Sequence, residues 1–274
     1  MKRRSGQAWA VHAALIVSAL LTITPMLWMV SASFMKPGES NSLPPPLLPK
    51  IPTAEHYVDL FTRLDLFRNF LNSLLIASVT TGVSLLLNAM AGYAFAKLRF
   101  GGRDRLFALL LAGLVVPAQV GMLPLFLMVQ KIGLVNTPWG VMIPGLASIF
   151  GIFMIRQYAL SIPDELLDAA RVDGASEFRI FTAIVLPLLK PILVTWAAFS
   201  FLSQWNDFLW PLIVLSDERK FTLPVALASL VGEHVQDTEL MMAGSVLTVL
   251  PVVVLFLALQ RAYLRGVMMG SVKG

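Results

Sequence analysis

Residues 240–259 read LMMAGSVLTVLPVVVLFLAL, twenty positions without one charged side chain. A helix of that length rises about 30 Å, the thickness of a bilayer's hydrocarbon core, so this stretch is read as a membrane crossing. Five more apolar runs precede it: Ala8 to Phe34, Ser73 to Ala96, Leu106 to Val129, Trp139 to Ile155 and Pro191 to Leu215. The first opens with Lys2, Arg3 and Arg4 and has small residues, Ser31-Ala32-Ser33, near its end, which resembles a cleaved signal peptide. Its 27 residues exceed the ~7 to 15 of a signal's apolar region, so it is read as a retained helix. The 274-residue chain is 57% hydrophobic and 14% charged, with a mean hydropathy of +0.76. Soluble proteins carry about 25% charged residues, so an ordinary soluble domain is excluded. The net charge of +5 does not point to nucleic acid, because the bases punctuate apolar runs. Without cysteine there is no disulfide scaffold, thiol nucleophile or cysteine metal motif.

Orientation follows from Lys and Arg, which accumulate in cytoplasmic loops. With the N-terminus inside, fourteen of the 21 bases fall on the inner side. Four of the other seven (Lys36, Lys50, Arg63 and Arg68) share one long outer loop, Met35 to Asn72. Both termini are therefore expected in the cytoplasm. The outer loop opens with Pro37-Gly38 and Pro44-Pro45-Pro46, an extended stretch. Beyond Pro52, Tyr57, Leu60, Phe61, Leu64, Phe67 and Leu71 recur every three or four residues, which predicts an amphipathic helix with Thr53 as its N-cap. Such a helix lies on the outer membrane surface or meets an external partner. The chain thus divides into a first helix with its external loop (1–72), a membrane core (73–262) and a cytoplasmic tail (263–274).

The inner loop Arg156 to Lys190 is more organised than a connector requires. Ser161-Ile162-Pro163-Asp164 predicts a helix start, with Ser161 capping and Pro163 in the first turn. Leu166, Leu167, Ala169 and Ala170 form its apolar side, Glu165, Asp168 and Arg171 its charged members, and Gly174 supplies the left-handed stop. A second helix is expected from Ser176, and Pro187 and Pro191 bend the chain towards the fifth run. This arrangement exposes Ala169, Ala170 and Ala175, which calls for a partner to cover them.

The run Glu165-Leu166-Leu167-Asp168-Ala169-Ala170-Arg171-Val172-Asp173-Gly174-Ala175, followed by Ile184-Val185-Leu186-Pro187, resembles the cytoplasmic signature loop of bacterial ABC importer permeases. That pattern is Glu-Ala-Ala, three residues, Gly, nine residues, Ile, one residue, Leu-Pro. The spacing matches throughout, with Asp168 in place of the glutamate. Further pieces are similar to the carbohydrate-uptake branch, in particular its maltose-type second permease subunit: Ser33-Phe34-Met35-Lys36-Pro37, His56-Tyr57, Asn72-Ser73-Leu74, Trp205-Asn206-Asp207-Phe208 and Gly270-Ser271-Val272-Lys273-Gly274. The branch usually has Asn where this chain has His56.

The resemblance implies an all-α integral membrane protein with six transmembrane helices in the type I ABC importer permease fold, in the bacterial plasma (inner) membrane. It implies a transport subunit, not an enzyme, forming half of a carbohydrate path. Its partners would be an ATPase subunit dimer, a second homologous permease, an extracytoplasmic solute-binding protein and the lipid bilayer, with no role for nucleic acid. ATP and Mg would be bound by the ATPase and no cofactor by this chain, which carries no Gly-x-x-x-x-Gly-Lys-[Ser/Thr] run. Helix Ile162 to Asp173 would be the coupling helix. The ATPase-docking set would be Glu165, Asp168, Ala169, Ala170, Asp173, Gly174, Ala175, Ile184, Leu186 and Pro187.

Within the runs, Asp207 is the only acidic residue, and an intramembrane carboxylate marks a candidate functional position. A structural or subunit-interface role for Asn206 and Asp207 outweighs substrate contact, and Trp205 and Trp210 read as an interfacial aromatic belt. Gln119 lies between Pro117 and Pro124, and Pro144-Gly145 interrupts the fourth run. Interrupted helices line cavities or pack inside protein, so runs three to five are the candidate path. His12, His56 and His234 are scattered without metal-ligand or triad spacing. An ion-coupled secondary transporter is the main alternative, since broken helices and a carboxylate suit ion coupling. A membrane-embedded glycosyl transferase is a third class, and the acids Asp164, Glu165, Asp168, Asp173 and Glu177 mimic the cluster it needs. Their spacing along a capped helix favours a docking face.

Overall fold

The computed structural model describes residues 3–62, 65–233 and 237–271; Lys2, Arg63, Leu64, His234 and Val272-Lys273-Gly274 lie outside them. The regular elements among the described residues are helices: α1 (Arg3–Ala32), α2 (Glu55–Thr62), α3 (Leu66–Lys97), α4 (Arg103–Ala112), α5 (Met122–Lys131), α6 (Pro138–Met142) and α7 (Ile149–Ala159). They continue as α8 (Asp164–Val172), α9 (Glu177–Ile180), α10 (Leu186–Leu188), α11 (Lys190–Trp205), α12 (Leu209–Val214), α13 (Leu223–Glu233) and α14 (Thr238–Ser271). Val11–Ala32, Leu66–Lys97, Pro138–Ala159 and Thr238–Ala258 are long and apolar enough to cross a membrane. Two bent pairs, 103–131 at 98° and 177–205 at 77°, raise the total to six if each is one crossing.

The breaks follow the helix breakers. Pro117 lies in the bend between α4 and α5, and Pro144-Gly145 in the 3-10 turn between α6 and α7. Other details depart from the sequence reading. The outer helix stops at Thr62 and Asp65 takes a left-handed φ of 45°. Phe67 and Leu71 therefore belong to α3, which begins at Leu66 and not at Ser73. A surface helix and the first turns of a crossing share one period, so spacing alone joined them. The run Pro191 to Leu215 is two helices parted at Asn206-Asp207-Phe208. Helix α13 is an addition; its eleven residues are too few to span a bilayer, and Pro224 in its first turn was its start signal.

The chain forms two compact units, residues 1–67 with 226–251 and residues 68–225 with 252–274. In the first, the fully buried Glu239 accepts hydrogen bonds from the Ser40 and Gly38 amides at 2.7 and 3.2 Å. The separated sequence pieces around Phe34 and Tyr57 meet here. Ser33 Oγ lies 2.8 Å from Tyr57 Oη, His56 Nε2 donates to the Met35 carbonyl at 2.8 Å, and the Phe34 and Tyr57 rings are 5.3 Å apart. Thr53 Oγ1 accepts from the Glu55 amide at 3.2 Å, but α2 begins at Glu55 and its first helical bond goes to the Ala54 carbonyl, so Thr53 stands one residue before the N-cap position expected for it.

Two apolar clusters lie among the described residues of the second unit. One gathers Ile155, Leu167, Ile180 and Leu189, the other Ile76, Met142, Trp210 and Val214. Trp205 and Trp210 are buried in this unit and are not an interfacial belt. Trp205 stacks on Phe201 and meets Phe70 edge-on, while Trp210 Nε1 donates to the Gly140 carbonyl at 3.1 Å. A Cβ on Gly151 would fall 2.6 Å from the Trp196 ring and 2.9 Å from the Asn88 amide nitrogen. Gly151→Ala should therefore lower stability by about 1 to 3 kcal/mol through overpacking, read as a lower unfolding temperature in detergent. An unchanged temperature would mean that this contact is looser than described.

Candidate functional site

The signature loop folds as a capped helix pair on the apolar cluster of α3, α7 and α11. Helix α8 ends in a glycine cap: Gly174, at φ 80°, donates to the Arg171 carbonyl and Ala175 to the Ala170 carbonyl, both at 3.0 Å. These are the paired bonds of a Schellman motif, which satisfy the last carbonyls of the helix. Ser176 Oγ then accepts from the Arg179 amide and starts α9, as expected. Helices α9 and α10 are joined by five residues of π-helix, Phe181–Val185, just before Pro187. A proline removes one helical N–H and crowds the carbonyl four residues back, and a π-turn accommodates both.

The start of α8 is not as expected. Pro163 occupies the N-cap position and Ser161 Oγ donates to the Tyr158 carbonyl at 2.7 Å, closing α7 instead of opening α8. Serine can serve a carbonyl behind it as readily as an amide ahead of it. The apolar side also divides. Leu167 is buried, and Ala170, Ala175, Ile184 and Leu186 pack partly buried against the chain's own core, so only Ala169 of the three alanines is exposed. Leu166, Val172 and Phe178 are exposed too, Val172 at 88% and Phe178 at 72%. Three and four residues make one turn, so Leu166 and Ala169 share a face on which Val172 follows, while Leu167 and Ala170 lie on the adjoining side, turned to the core.

The acids also separate by function. Asp168 and Glu177 both bind Arg171, at 2.7 Å each, and Asp164 binds Lys97 at 2.6 Å. The Glu177 and Asp168 carboxylates hold the Arg171 guanidinium charged well beyond its ordinary range, and the Lys97 ammonium holds the Asp164 carboxyl below the usual carboxylate range. These three acids tie the loop together, which leaves Glu165, Asp173 and Pro187 as exposed polar or bounding positions. Sequence reasoning missed Tyr93 and Lys97, one turn apart at the end of α3, which reach Glu177 and Asp164. Their i, i+4 spacing at the end of an apolar run was the available signal.

The remaining candidates lie at helix breaks. Gln119 is exposed in the bend between α4 and α5. Asn206 is the C-cap of α11, its Nδ2 donating to the Leu202 carbonyl at 2.9 Å. The half-buried Asp207 accepts from the Trp210 amide at 3.5 Å, at the start of α12.

The sequence matches the family described as binding-protein-dependent transport system inner membrane component over residues 84–268. It is 39% identical, over 279 aligned positions and 100% of both chains, to the arabinooligosaccharides transport system permease protein AraQ of Halalkalibacterium halodurans. To the lactose transport system permease protein LacG of Rhizobium radiobacter it is 35% identical over 96% of this chain and 95% of that one. Its fold is similar to a chain in the crystal structure of a bacterial ABC transporter involved in the import of the acidic polysaccharide alginate. The TM-score is 0.83 at 24% identity, over 94% of this chain and 97% of the other. Loop, fold and relatives together define a multi-pass inner-membrane permease subunit of an ABC importer. The chain belongs to the binding-protein-dependent transport system inner membrane component family. The ion-coupled alternative finds no support among these relatives.

At Gly174 nothing lies within 4 Å of an added Cβ, so a substitution there acts through the backbone alone. Gly174→Val should cost about 1 to 2 kcal/mol of left-handed strain and impair transport while membrane insertion, measured by fractionation, stays normal. Wild-type transport by the variant would contradict the assigned turn.

Proposed function

We propose that this chain is one of two permease subunits of a carbohydrate importer and that α8 is the helix through which an ATPase subunit drives it. The observation that carries this reading is the exposed apolar row Leu166, Ala169 and Val172 on a short helix closed by a glycine cap and held from behind by its own core. Apolar side chains presented to water on a rigid element are a docking face. The docking set narrows to Glu165, Leu166, Ala169, Val172 and Asp173, with Asp168, Ala170, Gly174, Ala175, Ile184, Leu186 and Pro187 shaping it from behind or at its edge. Carbohydrate as the solute rests on the relatives, whose names specify arabinooligosaccharides and lactose. ATP and Mg belong to the ATPase, and an extracytoplasmic binding protein delivers the solute. Gln119, Asn206 and Asp207 mark the path or the interface with the second permease.

The mechanism is mechanical. ATPase closure moves α8, and because α8 is capped and packed, the motion passes to the membrane helices instead of being absorbed by the loop. With both termini in the cytoplasm, as the distribution of bases favours, α8 lies on the ATP side.

Two measurements test this reading. Ala169→Cys in this Cys-free chain should crosslink to the ATPase subunit in the assembled complex, and arabino-oligosaccharide uptake should require ATP. Gradient-driven uptake by the isolated chain, abolished by Asp207→Asn, would overturn it. For orientation, Leu43→Cys should react with an impermeant thiol reagent applied from outside, and Ser176→Cys only once the membrane is opened. Labelling of position 176 from outside would invert the topology.

A further inference from the structure

The chain connects α8 directly to α7 and, through α9 and α10, to α11, so covalent continuity alone would send motion into those two helices. The side chains add a third route. Tyr93 Oη donates to Glu177 Oε2 at 2.8 Å, and Glu177 Oε1 accepts from Arg171 Nε at 2.7 Å. Arg171 in turn reaches Asp168 in the middle of α8 at 2.7 Å. One turn further along α3, Lys97 Nζ donates to the Leu160 carbonyl at 3.5 Å, the Ile162 carbonyl at 2.5 Å and Asp164 Oδ1 at 2.6 Å. An ammonium has three donors, and here three acceptors meet them. The Lys97 side chain is 6% exposed although Asp164 is 74% exposed, so a buried ammonium stem carries this bond out to the start of α8.

We infer that Tyr93 and Lys97 are positioning residues for coupling, which brace α8 at its start and around its end against α3 so that motion entering at α8 is delivered to α3. The inference rests on α8 being the ATPase-docking helix. Apolar contacts keep the braced parts from sliding. The Tyr93 ring lies 5.5 Å from that of Phe181, and Ala89, Tyr93 and Ala96 of α3 share one buried cluster with Leu167 and Ile180. A Cβ on Gly92 would stand 2.7 Å from Ile155, so α3 and α7 touch almost backbone to side chain. Packed interfaces of this kind shift as units and do not deform smoothly.

The test uses the assembled complex in nanodiscs, with a fluorescent label on a single cysteine and ATP plus vanadate as the ligand. Leu86→Cys reports on α3 and Val172→Cys on the docking face; both side chains are exposed. In the otherwise unaltered chain both labels should respond to nucleotide. Tyr93→Phe, which removes one oxygen and keeps the ring packing, should leave the Val172 response intact and reduce that at Leu86 by about tenfold or more, as expected for loss of a hydrogen bond to a charged group. Lys97→Met should do the same. Glu177→Gln, whose amide oxygen still accepts from Tyr93, should retain more of the Leu86 response than Glu177→Ala. An unchanged Leu86 response in Tyr93→Phe overturns the inference, as does its absence in the unaltered chain. A silent Val172 label would instead contradict docking at α8. If Lys97→Met fails to assemble, Tyr93→Phe decides alone.

Discussion

A backbone amide or carbonyl inside a bilayer has no water to turn to, and every broken helix in this chain must meet that demand from within. The breaks between α5 and α6, α6 and α7, and α12 and α13 are each served by a polar side chain. Ser148 Oγ accepts from the Gly151 amide, and the buried Asn88 of α3 accepts from the Ser148 amide at 3.0 Å. Thr137 Oγ1 accepts from the Gly140 amide, and Asn136 Oδ1 from the Ser216 and Asp217 amides. Asn69 and Asn72 donate to carbonyls of residues 218–221, and Ser73 Oγ accepts from the Leu223 amide at 2.7 Å. These polar residues let irregular backbone exist among crossings, which a channel-lining protein needs and an uninterrupted bundle does not.

The same economy governs the loop. Helix α8 has nine residues, too few to be stable alone, and it persists because Leu167 and Ala170 join the core while Arg171 and Lys97 gather the charges. Leu166, Ala169 and Val172 remain exposed, and this is the row proposed to dock the ATPase. The proposed docking row and the packed side thus adjoin on one short helix.

Composition made the crossings legible, and the end of α8 was legible down to the left-handed Gly174, although its start was not, since Pro163 and not Ser161 takes the N-cap position. Pro117 and Pro144 marked two breaks. What spacing could not show was any partner distant in the chain. Asn88 gives no sign in the sequence that Ser148, sixty residues on, will donate to it. Tyr93 likewise gives none that Glu177, eighty-four residues on, will accept its hydrogen bond. The tryptophans near Asp207 failed for a related reason, since an aromatic belt and a buried core use the same residue, and burial alone tells them apart. The small helix α13 was lost because eleven mostly apolar residues resemble a connector when crossings are the template. Ala170 and Ala175 were assigned to a partner because both faces of α8 are apolar, and only the fold shows which one the chain keeps.

The central claim is that the loop and the end of α3 move as one body when ATP acts on the importer. Pulsed electron spin measurements between labels at Val172→Cys and Arg99→Cys, in the assembled complex with and without ATP and vanadate, test it most directly. Both positions are exposed, and the chain has no other cysteine. The account predicts one distance distribution, unchanged by nucleotide. A distribution that shifts or broadens when ATP binds would show the loop flexing on its base and would contradict the claim.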